Sequence, residues 1–177
     1  LNWDCRNSGA AAPALNPTLI SLNLGTPCTA AFEWTNSSSQ PIILAGAGTT
    51  QGESRIFRIE NGVMVEDNLG SATARVKSGV LWQNGSTEMA YFARGAGKVL
   101  LARDQAGAYT TSTADADILG AVGTYLYRAL GHKLSKLDVD TNPLTETNWG
   151  SQTSCGAAAY PINLILEMGG APMVLKG

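Results

Sequence analysis

The sequence predicts an all-β fold, an antiparallel sandwich, on three observations. Short apolar runs with strand-like alternation are separated along the chain by glycine, asparagine, serine and proline. Two Asn-Gly pairs, Asn61-Gly62 and Asn84-Gly85, each join two such runs, and Asn-Gly readily takes the positive φ angles of a tight hairpin turn. No helical segments alternate with the strands, as a parallel α/β sheet would require.

Taken in order, Thr18 to Leu24 places Ile20, Leu22 and Leu24 on one face before Gly25 and reads as a half-buried strand. Thr29 to Trp34 and Pro41 to Ala45 are similar runs around the polar tip Asn36 to Ser39. Arg55 to Ile59 and Val63 to Val65 flank the first Asn-Gly pair; Val80 to Gln83 and Glu88 to Ala93 flank the second, which gives two hairpins. Lys98 to Ala102 is another strand, and Tyr160 to Leu166 is the last long one, with Pro161 near its start where a missing donor is tolerated. The segment Ala114 to Leu137 admits two readings. Ile118, Val122, Leu126, Leu130 and Leu134 recur every four residues, as on a helix face, so one short helix around 114–135 is the alternative. Gly120, Gly123 and Gly131 each cost about 1 kcal/mol in a helix interior. Thr124-Tyr125-Leu126-Tyr127 is strand-prone, which favours a strand around 122–130.

At 177 residues, with no internal repeat, linker or charge block, the chain reads as a single domain over 1–177. Only 15% of residues are charged, against about 25% in an ordinary soluble domain. A hydrophobic fraction of 44% can bury a core, which excludes wholesale disorder. A net charge of −2 supplies no uniform field for phosphates, so neither a general nucleic-acid binder nor a polybasic membrane-surface protein is expected. The most apolar stretch, Ala157 to Leu166, is interrupted by Pro161 and Asn163 and is about half the roughly 20 residues of a bilayer span, so no membrane insertion is expected.

Leu1-Asn2-Trp3-Asp4-Cys5 has neither the basic start nor the apolar run of a secretory signal. The chain is therefore expected to be cytosolic or already processed. Its polar character, drawn from Ser, Thr and Asn instead of Lys and Glu, favours a secreted protein with the signal removed. The three cysteines match no spaced metal set and allow at most one intrachain disulfide. Cys5 to Cys28 is the shorter closure and Cys28 to Cys155 the alternative.

Signals for catalysis are sparse. The sole histidine, His132, lies between Gly131 and Lys133 with no G-x-S-x-G motif, and reads as an ordinary loop residue. The pairs Asp115/Asp117 and Asp138/Asp140 would share a face if extended, which suits acid-base work or a cation, although solvated loop carboxylates look the same. Asp138-x-Asp140-x-Asn142 resembles the opening of a calcium loop, but Pro143 stands where that loop needs glycine, so no metal is expected. Gly46-Ala47-Gly48 and Gly95-Ala96-Gly97 lack the lysine and βαβ frame of a phosphate loop. No cofactor is expected.

The polar stretch Asp138 to Gln152 is the stronger candidate. Sugars present apolar ring faces that aromatics cover and hydroxyls that carboxylates and amides bind. Asp138, Asp140, Asn142, Glu146, Asn148, Trp149 and Gln152 supply those groups in one irregular segment before the final strand. The competing reading is that Trp149 plugs the core and the polar residues solvate a long connection.

An aromatic two residues before Cys5, then Gly9, Pro13 and the run Leu19 to Leu24, resembles the start of the mannose-binding type of chaperone-usher fimbrial tip adhesin. Tyr125-Leu126-Tyr127 resembles that family's late strand. Ile162-Asn163-Leu164 to Met173-Val174 resembles its closing strand and exit. Cys28 follows Cys5 sooner than the family's second cysteine usually does, and no family motif stands between 45 and 115. The resemblance implies an elongated immunoglobulin-like β-sandwich that serves as the N-terminal receptor-binding, lectin-like domain of an extracellular adhesin at the fimbrium tip. Its partners would be a host glycan or glycoprotein, a following pilin domain and other fimbrial subunits, and its site would lie on tip loops that broadly include 138–152. It implies binding without catalysis. Two other classes stay open: a structural subunit, pilin or phage or viral surface protein, that acts by assembly, and a secreted carbohydrate hydrolase using Asp138 and Asp140.

Overall fold

A computed structural model describes residues 3–4, 12–13, 28–47, 55–60, 63–67, 75–85 and 87–177. The architecture is all-β, with antiparallel sheets packed on one another, as the alternation and turn signals predict. In chain order the strands are β1 (Trp3–Asp4), β2 (Ala12–Pro13), β3 (Cys28–Thr35), β4 (Pro41–Ala47), β5 (Arg55–Glu60), β6 (Val63–Glu66), β7 (Ser78–Asn84) and β8 (Thr87–Ala93). They continue as β9 (Gly95–Arg103), β10 (Tyr109–Ala116), β11 (Ile118–Val122), β12 (Tyr125–Leu130), β13 (Lys133–Lys136), β14 (Thr153–Ser154), β15 (Ile162–Met168) and β16 (Ala171–Lys176). A single 3-10 turn, Glu146–Asn148, interrupts the connection from β13 to β14.

Neighbours in each sheet are also neighbours in sequence: β1-β2, β3-β4-β5-β6, β7-β8-β9-β10, β11-β12-β13-β14 and β15-β16. The sheet β7–β10 lies at the centre, and the sequence of β8 shows why. Ala90 and Phe92 point to one face and pack with Trp34, Ile42, Leu44 and Ile56 of the β3–β6 sheet. Tyr91 and Ala93 point to the other, with Leu119 and Leu126 of the β11–β14 sheet and Leu137 just past the end of β13. A strand covered on both faces loses the polar half of its alternation, hence the unbroken buried run Ala90 to Ala93. A third apolar seam joins Val122 and Ala129 to Ile162 and Ile165, seating the β15–β16 hairpin on the far side of the β11–β14 sheet.

Small residues fix how closely the layers approach. A Cβ added to Gly120 of β11 would stand 2.6 Å from Cβ of Ile165, and one on Gly79 of β7 would stand 2.9 Å from the Phe32 ring. Two buried arginines lie in the interfaces, each held by a carboxylate, as desolvated charge requires. Arg103 Nε donates to Asp67 at 2.7 Å, and Arg128 pairs with Glu146.

The alternative helix around 114–135 is not formed. Residues 114–136 are the end of β10 followed by β11, β12 and β13, turning at Gly123 and Gly131 with φ of 56° and 57°. Four is a multiple of the two-residue strand repeat, so the recurrence from Ile118 to Leu134 had two explanations and the glycines decide between them. Both hairpins exist, but the second turns one residue later than expected. Asn84 pairs with Thr87 and so still belongs to the strand, and the turn begins at Gly85, which takes φ of 60°. The first pairs Glu60 with Val63 around Asn61-Gly62, which lie outside the described residues. So do the expected strand Thr18 to Leu24 and Cys5. Cys28 and Cys155 are free thiols, so neither the expected Cys5–Cys28 bridge nor the alternative Cys28–Cys155 bridge is formed; the Cys28 thiol donates to the Ala30 carbonyl at 3.3 Å.

Candidate functional site

The Asp138 to Gln152 segment divides into an inner part that builds the core and an outer part that faces solvent. Trp149 belongs to the inner part. It is 7% exposed and packs with Tyr91, Leu126 and Leu137. Its indole N–H donates to the Pro143 carbonyl at 3.0 Å, and the Arg128 guanidinium lies 4.8 Å from the ring centroid. Neither the face nor the polar edge of the indole is left for a sugar, so the expectation of a ligand platform at Trp149 gives way to the core-plug reading.

Glu146 is committed in the same way. Both its oxygens accept from Arg128, in a two-pronged pair that matches the guanidinium fork. The Arg128 hydrogen bonds, offset in part by burial, hold the Glu146 carboxyl below the usual carboxylate range. Asn142 and Asn148 shape the loop. Oδ1 of Asn142 accepts from the Leu144 N–H at 2.9 Å, and Nδ2 of Asn148 donates to the Asn142 carbonyl at 2.9 Å. Gln152 is exposed, three residues past Trp149.

Asp138 and Asp140 form the outer part and line a cleft of about 470 Å³. Its other walls come from two turns that sequence reading did not connect to this loop. The β7–β8 hairpin contributes Trp82, Gln83, Asn84 and Gly85, and the β11–β12 turn contributes Gly123, Thr124 and Tyr125. The cleft floor is Leu126 and Leu137, whose neighbours are core.

Each wall is fixed by a local cause. The Trp82 indole N–H donates to the Thr124 carbonyl at 3.1 Å, tying the two turns together, while its ring meets Tyr91 edge-on at 6.2 Å. Tyr125 is 39% exposed at the rim, with the Lys136 ammonium 3.3 Å from its ring centroid. Asp140 takes φ of 58°, a left-handed conformation that Asp tolerates better than most residues. Asp138 is held through its backbone, with its N–H on the Asn148 carbonyl at 2.9 Å and its carbonyl accepting from Thr141 at 2.7 Å. Neither carboxylate has a side-chain partner among the described residues, so both remain as acceptors at the cleft mouth.

The arrangement therefore combines two partly exposed aromatics, two unpaired carboxylates and the Gln83 and Asn84 amides around a shallow polar opening. Among the described residues no group of three or more His, Cys, Asp and Glu could hold a metal ion. No helix of the described residues is long and apolar enough to cross a membrane. The signal for Trp82 was present in the sequence as an aromatic two residues before an Asn-Gly turn, and that for Tyr125 as an aromatic directly after Gly123-Thr124. No family model and no curated protein matches this chain.

Proposed function

We propose that the chain is a receptor-binding domain that holds a host glycan in the cleft between the β7–β8 turn, the β11–β12 turn and Asp138 to Asp140. The observation that carries this reading is the meeting of Trp82 and Tyr125 with the unpaired Asp138 and Asp140 around one opening. A saccharide needs an apolar surface for a ring face and fixed acceptors for its hydroxyls, and that opening supplies both. The resemblance of Trp3 to Leu24 and of 125–174 to fimbrial tip adhesins supports placing the domain outside the cell at a fimbrium tip, ahead of a pilin domain. Binding proceeds without catalysis. An open site of this size binds each copy weakly, and display of many copies compensates by avidity. Screening the protein on a mammalian glycan array tests the class: binding to a discrete set of glycans supports it, and a blank array at multivalent presentation opposes it.

A second reading, a structural subunit, is favoured by the outer face of the β15–β16 hairpin. Leu164, Leu166, Met168 and Leu175 are 41%, 38%, 66% and 46% exposed on one short hairpin. The opposite face seals the seam with β11 and β12, so this hairpin ends a series of packed sheets on an apolar surface. In that reading a second copy of the chain covers it. Sedimentation equilibrium decides: concentration-dependent association, abolished by Leu166→Ser with Met168→Ser, favours assembly, and a monomer at all concentrations removes it.

A further inference from the structure

Arg94 differs from the other arginines whose side chains are buried here: its stem is buried, but its guanidinium tip opens on solvent without a carboxylate. Its residue is 7% exposed, yet among the described residues no carboxylate pairs with it. Arg103 and Arg128, the other buried guanidiniums, each have one. Its Nε donates to the Val99 carbonyl at 2.8 Å, and its two terminal nitrogens, which have no protein partner among the described residues, are open to solvent. Burial alone, with no opposing partner, pulls its pKa down.

Those nitrogens belong to a side chain that lines a separate cleft of about 260 Å³, together with Arg75, Lys77, Lys98 and Asp117. Among the described residues that line it, Asp117 is the one carboxylate. Asp117 does not neutralise Arg94, because its oxygens accept from Lys77, from the Ala96 N–H at 3.3 Å and from the Gly131 N–H at 2.8 Å. Lys77 is fixed by that bond and by close packing on Gly95, where a Cβ would stand 3.1 Å from its Cε. Lys98 makes no ion pair among the described residues. The Ala96 and Gly97 N–H groups are taken by Asp117 and Asp115, so recognition here runs through side chains and not through a backbone phosphate loop.

We infer that this cleft is an oxyanion-binding site, in which Arg94 with Lys77 and Lys98 takes a sulfate, phosphate or carboxylate group. A guanidinium with two free terminal nitrogens offers a planar pair of donors that matches two oxygens of such a group, and the lysines add point charges. The bound anion would supply the partner that Arg103 and Arg128 find within the chain. The site lies at the Lys77 end of β7 and the glycan cleft at its Trp82 to Gly85 end, ~20 Å away at strand rise. The two sites are therefore independent, and either can fail without the other.

The test is isothermal titration of the whole chain with sodium sulfate and with sodium phosphate, against sodium chloride at equal ionic strength. A sulfated disaccharide and its unsulfated parent form a second arm. Saturable binding of sulfate or phosphate, weakened about tenfold in Arg94→Gln and in Lys98→Glu but unchanged in Lys133→Gln, is the expected result. Tighter binding of the sulfated disaccharide than of free sulfate assigns the site to an acidic glycan; equal or weaker binding assigns it to a free anion. Lys98 lies on the cleft wall outside the core, so its variant reports even where Arg94→Gln fails to fold. No saturable response in the wild type, or equal responses in Lys98→Glu and Lys133→Gln, overturns the inference.

Discussion

At Trp149 the indole donates to Pro143 and covers Arg128, so Trp149→Ala removes a core side chain and uncovers a guanidinium together. A loss of about 3–5 kcal/mol is expected, read by urea denaturation. Glu146 acts through charge. Glu146→Gln should cost about 1–2 kcal/mol near neutral pH, low for a charged hydrogen bond because the carboxylate is half exposed. Its folded pKa lies below the ordinary 4.5, so its stabilisation is complete above that value and fades as pH falls through the folded pKa. Wild-type protein should therefore lose more stability than Glu146→Gln between about pH 5 and 3, in matched denaturation curves. Sequence reading found these residues because type and loop context mark them. It could not separate core from surface, since Trp149 and Asp140 lie in the same irregular stretch and only packing tells them apart.

Among elements, the legible ones carry local signals. β5 and β6 and β7 and β8 follow from alternation on either side of a glycine turn, and β9 and β15 from their apolar runs. The span 114–137 was ambiguous because a four-residue recurrence fits a helix and also an even number of strand steps; positive φ at Gly123 and Gly131 settles it. Gly120 has a different task. No turn needs it, but β11 and β15 approach so closely there that Gly120→Ala would push its Cβ against Ile165. The substitution should destabilise by about 1–3 kcal/mol and raise amide exchange first in the β15–β16 hairpin, measured by hydrogen exchange.

For the molecule as a whole, the low charge content and the sheet packing are connected. A central sheet covered on both faces needs apolar residues at successive positions of β8 and β9, which leaves few places there for charge. The turns of two different sheets then converge with Asp138 to Asp140 on one cleft. That convergence was illegible in the sequence because Trp82, Tyr125 and Asp138 come from separate segments and meet only through tertiary packing. The central claim is that this cleft binds a glycan. It is tested most directly by titrating an array-identified glycan into wild type, Tyr125→Ala and Asp140→Asn. Asn is chosen at 140 because it tolerates the left-handed backbone while removing the charge. Saturable binding in the wild type, weakened about tenfold or more in each variant with the fold intact by circular dichroism, is the predicted result. Equal affinity in all three proteins would contradict the account.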